Sequence, residues 1–144
     1  MPKFVMPIRS DAGRKSLGKL DEFTRGYIEA MFWADVTADE EDKRLANASF
    51  EDLAPESLTR SIVDCQLFQV KDGGCLAAAR AKSAGCTASK AGVDFWCERN
   101  GHGVGFWDGD WPEPEATSLS KLAKSFGSVW VYAGDDGLVY LGNG

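Results

Sequence analysis

The side chains best suited to chemistry lie together between residues 93 and 111. The chain's only histidine, His102, follows Arg99 and Asn100. Four carboxylates flank these residues, namely Asp94, Glu98, Asp108 and Asp110. A histidine oriented by a carboxylate can act as a general base in hydrolysis or nucleotide processing. Nothing nearby supplies a nucleophile, and the repeated glycines after Asn100 do not open a predicted helix as a phosphate-binding loop would. We therefore predict no catalytic residue.

The same segment is rich in tryptophan and acidic residues, which is typical of a protein-binding surface. Aromatic anchors bury a large area at interfaces, and surrounding carboxylates steer basic partners. The alternative is that the rings close the hydrophobic core. The predicted interface residues are Trp96, Arg99, His102, Trp107, Asp108, Asp110, Trp111 and Glu113.

We predict no metal or cofactor. The acids Asp108, Asp110, Glu113 and Glu115 lack the spacing of a calcium-binding loop. The four cysteines, at positions 65, 75, 86 and 97, form no C-x-x-C pair and a single histidine cannot complete a usual zinc set. We expect reduced, packed thiols and a cytoplasmic protein.

Charge is unevenly distributed along the 144 residues, whose formal net charge is −6. Residues 1–20 carry five basic and one acidic side chain, whereas residues 21–60 carry eleven acidic and four basic ones. We expect a flexible basic arm at residues 1–19 followed by a single acidic domain at residues 20–144. The acidic body disfavours direct nucleic-acid binding and favours a basic protein partner. No apolar run is long enough to predict a membrane span.

The order of predicted elements indicates an α+β domain. Apolar periodicity predicts a helix from Leu20 to about Trp33 and a second from Pro55, broken at residues 72–74, before a short alanine-rich helix. Residues 93–111 predict a β-hairpin turning at Asn100-Gly101, of undecided register. A helix ending near Phe126 and a second hairpin follow. The predicted fold therefore packs N-terminal helices on a small antiparallel sheet built from two C-terminal hairpins with an intervening helix.

Three segments resemble a group of small bacteriophage and prophage proteins. They are D-F-W-C-E-R-N-G-H-G-V-G-F-W-D at residues 94–108, L-A-P-E-S-L at residues 53–58, and the closing V-Y-A-G-D-D-G-L-V-Y. The resemblance covers roughly residues 20–141. It implies a viral or mobile-element origin and supplies no activity and no catalytic residues.

Small size, acidic charge and this resemblance together lead us to expect a phage-encoded accessory protein. It would bind a host or phage protein, for example as an inhibitor of a host defence system of the anti-CRISPR or antirestriction type. The alternative is a small-ligand-binding protein or a hydrolytic enzyme that uses His102. The identity of the partner and the oligomeric state are left open.

Overall fold

The computed structural model describes residues 4–143, which form seven α-helices and one β-hairpin. The helices are α1 (Asp11–Gly18), α2 (Glu22–Met31), α3 (Lys43–Ala46), α4 (Pro55–Lys71), α5 (Cys75–Lys82), α6 (Ala88–Arg99) and α7 (Glu115–Ser125). The strands are β1 (Val129–Ala133) and β2 (Val139–Asn143). A π-helical turn, Phe32–Val36, continues α2, and a 3₁₀ turn, Phe50–Asp52, precedes α4. The predicted α+β class is confirmed.

The apolar stripe predicted after Leu20 forms the buried face of α2. Phe23, Tyr27 and Phe32 are at most 1% exposed. The ring of Phe23 packs on Phe68 of α4, with 5.4 Å between ring centroids, and Phe68 packs on Phe95 of α6 at 4.4 Å. Burying each such ring contributes about 1.5–3 kcal/mol to stability. An aromatic core therefore joins α2, α4 and α6.

Helices α2 and α6 approach each other at two glycines. A Cβ added to Gly92 of α6 would stand 1.9 Å from the carbonyl oxygen of Phe23, and one added to Gly26 of α2 would stand 2.2 Å from the carbonyl oxygen of Ser89. Two backbones this near to each other leave no space for a side chain between them. The crossing therefore requires glycine in both helices. This crossing places α6 against the centre of the fold.

The hairpin predicted at residues 93–111 is wrong, because residues 88–99 form α6. Thr87 begins the helix by accepting a hydrogen bond from the backbone of Lys90 at 3.2 Å. Asn100 ends it, and Gly101 follows with φ of +68°. Positive φ suits both a hairpin turn and the end of a helix, so Asn100-Gly101 was compatible with either structure. Residues 88–92, which precede the segment of the predicted hairpin, begin α6.

Burial explains why this aromatic segment is helical. Nearly every residue of α6 from Ala91 to Arg99 is buried. A helix enclosed on almost all sides has no polar face, and therefore its sequence shows little helical periodicity. Tertiary packing outweighs the strand preference of its aromatic residues.

The sheet is consequently one antiparallel hairpin and not two. Val129 pairs with Asn143 and Ala133 pairs with Val139. Its inner face packs on the core, where Val139 also forms a parallel bridge with Leu53. Its outer face is open and aromatic. The second hairpin, predicted to follow the helix that ends near Phe126, is confirmed.

Residues 4–19 are attached to the body of the protein, which corrects the expectation of a flexible arm there. Ser10 caps α1 by accepting a hydrogen bond from the backbone of Gly13 at 3.0 Å. Glu51 accepts hydrogen bonds from the backbone of Arg9 at 2.9 and 3.0 Å and from the Ser10 hydroxyl at 2.7 Å. Leu17 is buried. Residues 1–3 of the predicted arm lie outside the described residues.

None of the helices within residues 4–143 has both the length and the apolar composition needed to cross a bilayer.

Candidate interaction site

The loop between α6 and α7, residues 100–114, is held at two points by the buried side chains of Phe106 and Trp111. Phe106 is fully buried, and its backbone N–H donates to Oε1 of Glu98 at 3.2 Å. Trp111 is 4% exposed, and its indole N–H donates to Oδ2 of Asp94 at 2.6 Å. Both carboxylates belong to α6, so the helix holds the loop through Phe106 and Trp111.

Gly105 allows the first of these attachments. A Cβ at this position would stand 2.8 Å from Oε1 of Glu98, and its φ is +159°. The glycine therefore lets the loop pass close enough for the Phe106 N–H to reach the carboxylate. Among the glycines that follow Asn100, this close contact belongs to Gly105, since a Cβ added at Gly101 or Gly103 would meet nothing within 4 Å.

Asp94 lies at the centre of a second set of polar contacts. Lys90, one turn earlier in α6, lies 3.4 Å from Asp94 Oδ2 and 3.3 Å from Asp110 Oδ2. Burial raises the pKa of the Asp94 carboxyl, although the Trp111 indole and the Lys90 ammonium both favour its ionised form. Lys90 therefore compensates the charge of Asp94 and part of the charge of Asp110.

Arg99 is a structural residue. Its side chain is 1% exposed and contacts Asp64 Oδ2 at 2.9 Å and the Tyr27 hydroxyl at 3.0 Å. It also donates to the carbonyl oxygens of Phe126 and Gly127, at 3.1 and 2.8 Å, where α7 has ended. The guanidinium satisfies carbonyls that the helix leaves unpaired.

Trp96 and His102 meet at Asp35, a residue that belongs to none of the sequence motifs described above. Asp35 belongs to the π-helical turn after α2. Its Oδ2 accepts the indole N–H of Trp96 at 2.7 Å and lies 2.8 Å from Nε2 of His102. The first contact joins α6, and the second joins the start of the loop, to the π-helical turn after α2. No local sequence signal marked Asp35, because its partners lie 61 and 67 residues away.

The polar side chains buried here are satisfied within the protein. Every buried side-chain nitrogen and oxygen in the described part of the chain has a hydrogen-bond partner. Within residues 4–143, no group of three or more His, Cys, Asp or Glu residues is arranged to hold a metal ion. The segment between Asp94 and Trp111 thus contains a completed internal network.

Exposure divides the predicted interface residues into two groups. Trp96, Arg99 and Trp111 are buried at 0%, 5% and 4% exposure, so the fold itself uses them. The exposed group consists of His102, Trp107, Asp108, Asp110 and Glu113. All of the exposed group lie on the loop between α6 and α7.

Trp107 is the exposed aromatic residue of this loop. Its side chain is 56% exposed and forms one wall of a groove of about 270 Å³ along α7. Glu113 lines the groove and accepts hydrogen bonds from the backbone and the hydroxyl of Thr117 at 2.9 Å. Lys121 and Lys124 also line it, so the groove carries charges of both signs. The acidic residues Asp108 and Asp110 lie between Trp107 and the buried Trp111.

Comparison of the chain with protein-family models, with curated proteins and with solved structures finds no match.

Proposed function

We propose that this protein acts by binding another protein through the loop between α6 and α7. The observation that carries the proposal is Trp107, whose ring is more than half exposed on a loop that Phe106 and Trp111 hold in place. An exposed tryptophan on a preorganised loop buries a large apolar area on binding and loses little conformational entropy.

The charges beside Trp107 favour a partner with a basic surface. Asp108, Asp110 and Glu113 are exposed next to it in the sequence, and the side chain of Asp110 is 65% exposed despite its contact with Lys90. Such carboxylates speed association with a basic protein and make it sensitive to salt. Lys121 and Lys124 across the groove add a requirement for a complementary acid on the partner.

The phage-like motif supports a more specific function, which is inhibition of a host defence system in the host-cell cytoplasm. Defence enzymes of the CRISPR and restriction types bind nucleic acid through basic surfaces. An acidic loop with a central tryptophan would occupy such a surface in place of the phosphates. This function needs no catalytic residue and no cofactor.

Affinity capture with matched tryptophan variants tests the binding surface. Wild-type protein, Trp107→Ala and Trp33→Ala are used as baits in bacterial host lysate, with quantitative mass spectrometry. Trp33 is a suitable control because it is 47% exposed but belongs to the π-helical turn. We expect a partner that wild type and Trp33→Ala retain and that Trp107→Ala binds at least ~30-fold more weakly, which corresponds to about 2 kcal/mol. Equal capture by all three baits would contradict the proposal.

A plating assay tests the inhibition itself. The protein is expressed in bacteria that carry an active CRISPR or restriction system, and a targeted phage is plated on them. We expect wild type to raise the efficiency of plating and Trp107→Ala to restore the low value. Unchanged plating with every system tried would exclude defence inhibition while leaving other protein partners to the capture experiment.

A hydrolytic or small-ligand function is the second candidate, and the contact between Asp35 and His102 favours it. Their 2.8 Å separation is the geometry of a carboxylate that orients a general base. The exposed position of His102, and the use of the same Asp35 oxygen by Trp96, favour a structural role. A phosphate- or ester-hydrolysis activity that His102→Ala abolishes without lowering stability would establish this second function.

A further inference from the structure

Three aromatic rings lie side by side on the outer face of the β-hairpin, and we call them the aromatic ladder. Trp130 and Tyr132 have ring centroids 4.8 Å apart with planes inclined by 36°, and Tyr132 and Tyr140 are 5.6 Å apart at 21°. Gly142 faces Trp130 across the strands, and a Cβ there would stand 2.7 Å from the indole ring. The Trp130 ring therefore lies against the neighbouring strand at Gly142.

The ladder exposes more apolar surface than the hairpin requires. Trp130 is 52% exposed and Tyr132 is 38% exposed. Cross-strand aromatic pairs stabilise a hairpin by roughly 0.2–1 kcal/mol each. The inner face already anchors the hairpin, because Val129 and Val139 are buried in the core. A contiguous aromatic face open to solvent is typical of a binding surface.

Acidic side chains adjoin one end of the ladder. The carboxylate of Asp136 accepts the hydroxyl of Tyr140, and Asp135 is its exposed neighbour in the turn. Together with Tyr132 and Gly134 these residues line an open depression of about 590 Å³. A basic side chain also approaches this turn, since Arg44 lies 3.4 Å from the carbonyl oxygen of Gly134.

Aromatic rings beside carboxylates select the chemistry of the ligand. Proline rings pack on exposed tryptophan and tyrosine faces, and flanking acids pair with arginine or lysine of the same peptide. Single-stranded nucleic acid also stacks on aromatic rings, but its phosphates would face Asp135 and Asp136. Polyproline II helix rises ~3.1 Å per residue, so each ring spacing, 4.8 and 5.6 Å, is close to the rise of two residues.

We propose that the aromatic ladder binds an extended proline-rich peptide segment whose arginine or lysine reaches Asp135 and Asp136. This surface is formed by β1, β2 and their turn. It includes none of the residues of the loop that carries Trp107, so the proposal is independent of the function proposed above.

The test is an NMR titration of the full ¹⁵N-labelled chain with a synthetic decapeptide of eight prolines followed by two arginines. The chain has five tryptophan indole signals, and that of Trp130 is assigned from its absence in Trp130→Thr. We expect saturable shifts of the Trp130 indole and of the Tyr132 and Tyr140 amides, with a Kd below about 1 mM. The Trp107 indole signal should stay in place.

Matched changes separate the aromatic and charge contributions. Trp130→Thr keeps strand propensity and should weaken binding at least tenfold, whereas Trp107→Ala should bind as wild type does. A decapeptide ending in two glutamates should bind wild type at least tenfold more weakly than the arginine peptide. Asp135→Asn should reduce this preference. Signal dispersion in the same spectra shows whether each variant is folded. If Trp130→Thr is unfolded, the difference in affinity of the wild-type protein for the arginine and glutamate peptides tests the proposal.

Three results would overturn the proposal. One is the absence of any shift at 2 mM arginine peptide, and another is equal affinity for the glutamate peptide. The third is a shift of the Trp130 indole with a thymidine decanucleotide or with cellohexaose but not with the peptide, since the ladder would then be a nucleic-acid or saccharide site.

Discussion

Replacement of Arg99 by alanine is expected to destabilise the protein strongly, because this side chain connects four separate parts of the chain. Its guanidinium donates to Asp64 of α4, to the hydroxyl of Tyr27 in α2, and to the carbonyls of Phe126 and Gly127 beyond α7. Alanine leaves all four acceptors without this donor. It also removes the stacking of the guanidinium on the Phe126 ring, 5.7 Å from its centroid.

The expected loss follows from how deeply these groups are buried. Removing one partner of a buried ion pair costs about 3–5 kcal/mol, because the other charge is left without compensation. The side chain of Arg99 is 1% exposed, but that of Asp64 is 17% exposed, so water can partly solvate the remaining carboxylate. We therefore expect a loss of about 3–4 kcal/mol, which for a chain of this length lowers Tm by roughly 8–15 °C.

Urea unfolding followed by circular dichroism and by tryptophan fluorescence measures this loss. Arg99→Lys should fall between wild type and Arg99→Ala, because an ammonium keeps the charge near Asp64 but cannot serve the divergent acceptors of the guanidinium. Arg80→Ala, at an exposed position of α5, is the matched control and should change stability by less than about 0.5 kcal/mol. A loss below about 1 kcal/mol for Arg99→Ala would refute the structural role.

Three further predictions concern other parts of the fold. Gly92→Ala should lower the free energy of unfolding, measured in urea, by at least ~3 kcal/mol, because its Cβ would stand 1.9 Å from the Phe23 carbonyl oxygen. Stability equal to that of wild type would show that α2 and α6 do not cross here. Hydrogen bonds from the start of α1 outweigh burial and lower the pKa of Glu51 from 4.5 to about 2. A lowered folded-state pKa stabilises the protein above pH ~4.5, and this stabilisation disappears as the pH falls towards 2. Wild type should therefore exceed Glu51→Gln in the free energy of unfolding at pH 7, by on the order of 1 kcal/mol, and this difference should shrink at pH 2–3. Burial raises the pKa of the Cys97 thiol to about 12. In native protein at pH 8, the half-buried Cys75 should therefore react with Ellman's reagent before Cys97 does. Early labelling of Cys97 would contradict its burial.

The helices with an uneven distribution of apolar residues could be predicted from the sequence. In α2 the stripe of Phe23, Tyr27 and Met31 repeats every four residues, because only one face of the helix meets the core. Pro55 marked the start of α4, and glycines marked its end near residue 73. The C-terminal hairpin carried strand-forming residues on both sides of a glycine-rich turn.

The helix α6 could not be predicted in this way. Its residues are enclosed by α2, α4 and α7, so both polar and aromatic side chains face protein, and the pattern that reveals a surface helix is missing. The helix α1 was missed for a different reason. Its two glycines and its short length give little local helical preference, and contacts with Glu51 stabilise it from outside.

The candidate interaction site was likewise only partly predictable. The sequence placed aromatic and acidic residues together near position 100, but it did not distinguish Trp107, which is exposed, from Trp96 and Trp111, which are buried. That distinction depends on Asp35 and Asp94, which accept the indole hydrogen bonds of the two buried rings. Asp35 comes from a distant turn, and no spacing in the sequence connects it to Trp96.

The amino-acid sequence by itself determined the class of the fold, the acidic charge and the concentration of aromatic residues around residue 100. Those properties follow from composition and from short-range periodicity, which each segment carries alone. The tertiary structure decided that Arg99 stabilises the core, that Trp107 stays exposed, and that residues 88–99 are helical. The physical reason is that burial and hydrogen bonding depend on partners brought close by the two-glycine crossing of α2 and α6.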